Sequence, residues 1–268
     1  MKFPRKTFAA ILPAAAVSLA LSSLPAAAHF GMVIPSKPTV MDAADSRVDL
    51  DIRFWHPFEN AGMNLEKPAS FKIYSGGQAA DATGDLKEAK PSGFTAWTCS
   101  WKAARPGLAA FVLEPKPYWE PAEDKFIVHY TKAYVDAFGD DEGWNEPLGL
   151  KTEIVPRIRP GALYAGNAFA GKVLLDGKPV AGGEVEVEWY PGPDKKGDAP
   201  YESMVTQTLL TDENGNFAFS PPVPGWWGFA ALSDADYKLQ QEGADKDVEL
   251  GAVLWVYFHE FRPAAAAQ

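Results

Sequence analysis

The sequence predicts an all-β protein built from two β-sandwich domains, the second immunoglobulin-like. Three observations lead there. Glycine and proline occur 23 times each and cut the chain into short runs. Within those runs apolar and polar residues alternate with period two, which suits half-buried strands. Helical patterning is scarce throughout.

Residues 1–28 have the layout of a secretory signal. Lys2, Arg5 and Lys6 open it without an opposing acid, and Phe8 to Leu21 is apolar but interrupted by Pro13. That run is shorter than the roughly 20 residues a membrane-crossing helix needs. Ala26, Ala27 and Ala28 then supply a small-residue cleavage site. Cleavage after Ala28 places alanine at both −1 and −3 and makes His29 the first residue of an exported, periplasmic protein. The remaining 240 residues are enough for one large or two smaller domains with their own cores.

The first domain is expected over 29–158. "RVDLDIRFW" alternates Val48, Leu50, Ile52 and Phe54 against charged neighbours, and "SFKIYSGG" and "KFIVHYTKAYV" behave alike. "PGLAAFVLEP" is a further strand between prolines. Pro156 and Pro160 break the pattern, and a second domain is expected over 159–268. There, Gly171–Leu175 and Glu184–Tyr190 read as strands joined through a turn at Asp176-Gly177. Asn214-Gly215 marks another turn, and "AVLWVYFHEF" closes the chain as a final strand.

The net charge of −10 becomes −13 without the leader's three basic residues. Such a surface repels phosphate, which argues against nucleic acid and anionic lipid as partners. Cys99 is the single cysteine, so no disulfide forms within the chain. Its place in "AWTCSW" reads as a small core residue. Frames for a serine nucleophile, a phosphate loop, a paired-histidine protease helix or a calcium hand are missing, and the chain is read as a non-enzyme. "PGWWGF", with Trp226 and Trp227, is weighed as a sugar platform and read as core.

A terminal histidine offers two donors from one residue, its α-amine and its ring Nδ1, and closing a chelate makes the second bond favourable. The other three histidines are candidates to complete a site. His56 shares the parity of Leu50, Ile52 and Phe54 at the end of a strand broken by Pro57; it is either a ligand or a hydrogen-bonded rim residue. His129 lies inside "FIVHYTKAYV". His259, in "WVYFHEF", is the weakest candidate. Glu59 could add an oxygen or orient a ring, though it reads first as a solvated turn carboxylate. The expected metal ligands are His29, His56 and His129. Nitrogen donors of this kind suit Ni(II), Co(II), Cu(II) and Zn(II), with Met32, Met41 and Met63 keeping copper in view.

"AHFGMVIPS", "FWHPFENAGMN" (Phe54–Asn64) and "GLKTEIVPR" (Gly149–Arg157) resemble the periplasmic accessory component of energy-coupling-factor nickel/cobalt transporters. "LLDGKPVAGGEVEV" with "TDENGNFAFSPPVPGWWGFAA" is similar to that family's carboxypeptidase-regulatory-like second sandwich. The resemblance implies a monomeric Ni(II)-binding protein, with Co(II) or Cu(II) as alternatives, that supplies metal to a membrane permease subunit. His29 and His56 match the motif histidines, and His129 matches more loosely. The competing readings are a copper carrier, a polysaccharide monooxygenase using an N-terminal histidine brace, and a purely structural pair of sandwiches.

Overall fold

The alternation of Val48, Leu50, Ile52 and Phe54 becomes the inward face of strand Arg47–His56, whose even-numbered residues are buried through Phe54. The computed structural model describes residues 29–140 and 142–263, and the expected leader, 1–28, lies outside the described residues. Among those described there are strands and four short 3-10 turns but no α-helix, so no helix is long and apolar enough to cross a membrane. The protein is all-β.

Among the described residues three large sheets stack around one seam, beside a two-stranded ribbon, Leu239–Gln241 with Ala244–Lys246. The central sheet has eleven strands, and its main path runs Gln207–Leu210, Glu184–Tyr190, Gly225–Asp234, Val248–His259, Lys125–Ala137, Gly107–Glu114, Ser70–Ser75, Gln78–Asp81. A five-stranded sheet holds Phe30–Pro35, Arg47–His56, Ala96–Lys102 and Lys87–Ala89 in that order, with Ala61–Met63 added to the Arg47 strand. A four-stranded sheet holds Thr152–Pro156, Phe169–Leu175, Lys178–Pro179 and Asn216–Phe219.

Side-chain parity shows why the central sheet has two covered faces. On one face Val253 and Trp255 join Phe111, Ile127 and Val135 in a core closed by Phe30, Leu50 and Ile52 of the five-stranded sheet. On the other, Leu254, Val256 and Phe258 join Phe229 in a core closed by Ile154, Phe169 and Phe217 of the four-stranded sheet. A strand buried on both faces has to be apolar at every position, which accounts for the run "AVLWVYF".

The two expected sandwiches therefore meet within a single hydrogen-bonded ladder. Lys125–Ala137, from the first stretch, pairs in parallel with Val248–His259, from the second, between Phe126↔Val248 and Ala133↔Trp255. A buried ion pair adds to this joint. Lys132 Nζ lies 2.7 Å from Glu153 Oε2, with both side chains at most 2% exposed. Leu148 and Gly149 donate their backbone N–H groups to the same carboxylate. Burial opposes ionisation of both partners, and their mutual attraction overrides it: Lys132 is held above its ordinary pKa and Glu153 below.

One expected hairpin is corrected. Asp176 and Gly177 do form a tight turn, both with positive φ. It connects Phe169–Leu175 to the short strand Lys178–Pro179, whereas Glu184–Tyr190 belongs to the central sheet. The Asp-Gly signal fixes a local reversal but says nothing about the sheet the next long strand joins. At the second expected turn, Gly215 has φ +78, and a Cβ there would sit 2.9 Å from Val173 O. Only glycine fits.

Candidate metal centre

Backbone pairing brings the first two histidines together. Phe30 faces Trp55 in the antiparallel ladder, so His29 and His56 lie side by side at the open end of that sheet. Their rings are 4.6 Å apart between centroids. Phe54 stacks on His29 at 5.6 Å, and Tyr118 approaches it at 6.3 Å.

Two hydrogen bonds fix the start of strand Phe30–Pro35. The Gly31 N–H donates to His129 Nδ1 (3.3 Å), and Trp255 Nε1–H donates to Gly31 O (2.8 Å). A Cβ at residue 31 would collide with Thr131 Oγ1 and lie 3.1 Å from His129 Cβ, so this close approach requires glycine. Both polar groups of the residue two positions after His29 are thereby anchored to the central sheet.

His29 Nε2 lies 3.0 Å from Glu120 Oε2, both side chains being 11% exposed. Glu120 is itself held, because its Oε1 accepts the Ala122 N–H at 2.9 Å. Burial and the neighbouring His56 push the His29 ring down to about 4, against an upward pull from Glu120. At neutral pH the ring is uncharged. With its proton on Nε2 facing the carboxylate, its Nδ1 lone pair is available. This carboxylate–histidine arrangement is the one that orients metal-binding imidazoles. The donor set therefore fits a nitrogen-seeking divalent ion, with Nδ1 of His29 and the ring of His56 adjacent.

His129 is placed differently. It is 2% exposed in the middle of a strand. An Nδ1 that accepts a hydrogen bond leaves the ring's proton on Nε2. That nitrogen lies 3.9 Å from Glu249 Oε1, beyond hydrogen-bond reach, and has no hydrogen-bond partner among the described residues. Gly251 makes room for the ring, since a Cβ there would lie 2.6 Å from Nε2. Phe54 meets His129 edge-on at 5.7 Å and His29 by stacking, so one aromatic contacts both rings. With Nδ1 engaged by the backbone, His129 anchors the strand that carries His29. His129, expected as a third ligand, thus has its Nδ1 engaged by the strand that carries His29, and its ring lies across Phe54 from the His29 ring.

His259 lies at the far end of its strand, eight residues beyond Gly251, the ladder partner of His129. At the usual strand rise that is roughly 26 Å. Its neighbours are Tyr164 and Tyr257, and burial lowers its pKa. Glu59 is exposed. Cys99 is buried, and burial raises its thiol pKa. Trp226 and Trp227 are at most 9% exposed and belong to the two different cores. Among the described residues no group of three or more His, Cys, Asp or Glu side chains is arranged to hold a metal ion.

Sequence reasoning missed four carboxylates in this part of the molecule. Glu120 sits in "YWEPAED", and a hairpin between Tyr118–Glu120 and Lys125 onward presents it. Glu249 is held down at about 2: burial opposes this, but the Lys125 ammonium, 2.5 Å from its carboxylate, outweighs it. Glu188 is buried and accepts the Phe58 N–H at 3.3 Å and the Thr206 hydroxyl. Burial pushes it up to about 7, and burial with Glu249 nearby pushes Glu186 up to about 8. The alternation of "EVEVEWY" could have flagged Glu186 and Glu188, because their parity matches the inward-facing Tyr190. The Glu120 contact bridges 91 positions and leaves no local trace.

The chain belongs to the DUF4198 family, a domain of unknown function, which matches residues 26–235. No curated protein matches it. Among solved structures it is similar to the D0-D1 domain of intimin, at 16% identity over 87% of this chain and 100% of that one, with a TM-score of 0.26. It is also similar to the fibronectin(III)-like modules of Clostridium thermocellum CbhA, at 9% identity over 88% and 99% of the two chains, with a TM-score of 0.24.

Proposed function

We propose that this DUF4198 member is an exported metal-binding protein whose cargo is Ni(II), with Co(II) as the nearest alternative, and that it supplies a membrane permease of the energy-coupling-factor type. The observation that carries the reading is the His29–His56 pair, 4.6 Å between ring centroids, with His29 Nε2 turned to Glu120.

Removal of residues 1–28 would free the His29 α-amine beside Nδ1. The amine, Nδ1 and the His56 ring then give three nitrogen donors from two residues. The His29 ring, already uncharged at neutral pH, does not have to shed a proton when metal arrives. The amine, with an ordinary pKa near 8, is the main proton competitor. Glu120 holds the His29 ring in place, and His129 holds the strand beneath it. Two donor residues leave coordination positions open, which suits a carrier that must release its cargo to a partner.

The same three nitrogens favour Cu(II) over Ni(II) by intrinsic affinity, so a copper-binding histidine brace is the second reading. One experiment separates them. The processed protein is titrated with Ni(II), Co(II) and Cu(II), alone and in competition, beside a His56→Ala variant. Micromolar or tighter Ni(II) binding that disappears in the variant supports the nickel reading. Cu(II) binding without Ni(II) binding replaces it with the brace. Equal binding by both proteins removes His56 from the site.

A further inference from the structure

A cavity of about 900 Å³ lies away from the histidines. It reaches Pro35, six residues along the strand from His29, so roughly 20 Å separates the two at the usual strand rise. It crosses the outer face of the five-stranded sheet from Pro35 on one outer strand to Lys87 on the other. Three ladder spacings make that path roughly 14 Å long.

The floor is a set of closed polar networks. Arg47 donates to Asp49 and to Ser100 Oγ, both at 2.9 Å, and Ser100 donates to Asp49 at 2.6 Å. Arg53 grips Asp51 through two nitrogens, at 2.7 and 2.5 Å, while its guanidinium lies 4.4 Å over the Trp55 ring. The rest of the lining is largely apolar, with Tyr257, Pro191 and Pro193 open to the cavity and only the margins of the buried Tyr190 and Trp226 reaching it. Tyr190, Trp226 and Tyr257 are consecutive register partners across three central strands, and Pro191 and Pro193 extend the wall.

This combination excludes several ligand classes. An anion would meet Asp49 and Asp51, and a cation would meet Arg47 and Arg53. A wholly apolar ligand would strip water from both ion pairs without replacing it. A peptide adding itself as a strand needs a free sheet edge, whereas the floor is a sheet face. What remains is an elongated, uncharged molecule that both donates and accepts hydrogen bonds and also has an apolar face. A sugar chain has that chemistry: its hydroxyls can bridge the fixed Arg, Asp and Ser groups while its C–H faces rest on Tyr257, Pro191 and Pro193.

We infer that the cleft between the outer face of the five-stranded sheet and the Tyr190–Trp226–Tyr257 row binds a neutral oligosaccharide. This site is independent of the metal centre and of what the metal centre does.

The test is calorimetry on the full processed protein with cellotetraose, chitotetraose and maltotetraose, and with tetragalacturonate as the anionic control. Asp49→Ala and Ser100→Ala are the variants, chosen because the Asp49 side chain is 59% exposed and the fold does not rest on these groups. The expected result is saturable binding of at least one neutral tetrasaccharide, weakened roughly tenfold in each variant through a lost hydrogen bond, with an unchanged melting temperature. Quenching of tryptophan fluorescence should accompany binding. The proposal is overturned if no neutral tetrasaccharide saturates, if the variants bind as well as the parent, or if tetragalacturonate binds more tightly.

Discussion

His29 and His129 contact the same Phe54 ring, yet one lies at the open end of a sheet and the other inside a strand. The difference assigns them different work. At a strand end the ladder no longer claims the neighbouring groups, and His29 keeps Nδ1 while Glu120 takes Nε2. Inside the strand His129 is enclosed by Gly31 and Gly251, and its Nδ1 is taken by a backbone N–H. A histidine in a β-protein becomes a ligand candidate through the nitrogen its surroundings leave over, and sequence parity does not reveal that nitrogen.

Substitution should separate the two roles cleanly. His129→Ala empties a buried site and orphans the Gly31 N–H, so it should cost roughly 3 kcal/mol or more of unfolding free energy in urea. Gly251→Ala, which drives a Cβ into the His129 ring, should destabilise by about 1–3 kcal/mol or more through overpacking. His56→Ala should leave the urea midpoint nearly unchanged and lower Ni(II) affinity on the order of 100-fold, about 3 kcal/mol of binding. If His129→Ala proved neutral for folding and harmful only to metal binding, the contrast would be broken.

Much of the fold was legible in the sequence. Period-two alternation located the Arg47, Ser70 and Lys125 strands, and positive-φ turn residues marked Asp176-Gly177 and Gly215. The parallel union of Lys125–Ala137 with Val248–His259 was not legible, because strand partners more than 120 residues apart share no local pattern. The both-faced apolar run "AVLWVYF" was the one available sign, since a strand of a simple sandwich would alternate. At the candidate site, strand parity put His56 at the open end of its sheet, where the ladder sets it beside His29. Glu120 and the supporting role of His129 arise from packing between distant strands.

The pH dependence of stability probes a second group on the same face of the central sheet, close to the histidine end. Glu188 has a folded pKa of about 7, raised from 4.5. A raised carboxyl pKa means that the folded state holds its proton more tightly. Its contribution is therefore fully present below about pH 4.5 and lost as pH rises toward 7, by about 3 kcal/mol for this residue. Glu186 extends the loss in the same direction toward its own value of about 8. Urea midpoints across pH 4 to 8 should fall with rising pH, and Glu188→Gln should flatten that slope.

A smaller effect is expected from Glu120→Gln. The amide keeps the size of the side chain but loses the charge that holds the His29 ring, so Ni(II) affinity should fall about 10-fold with stability nearly unchanged. A change confined to stability would give Glu120 a packing role only.

In the proposed site the freed amine of His29 is a donor. The most direct measurement compares Ni(II) affinity for the protein beginning at His29 with that of the same protein carrying one additional alanine in front. A loss of roughly 100-fold or more is expected in the extended form, since the amine becomes an amide and the chelate opens. Equal affinity in the two forms would contradict it.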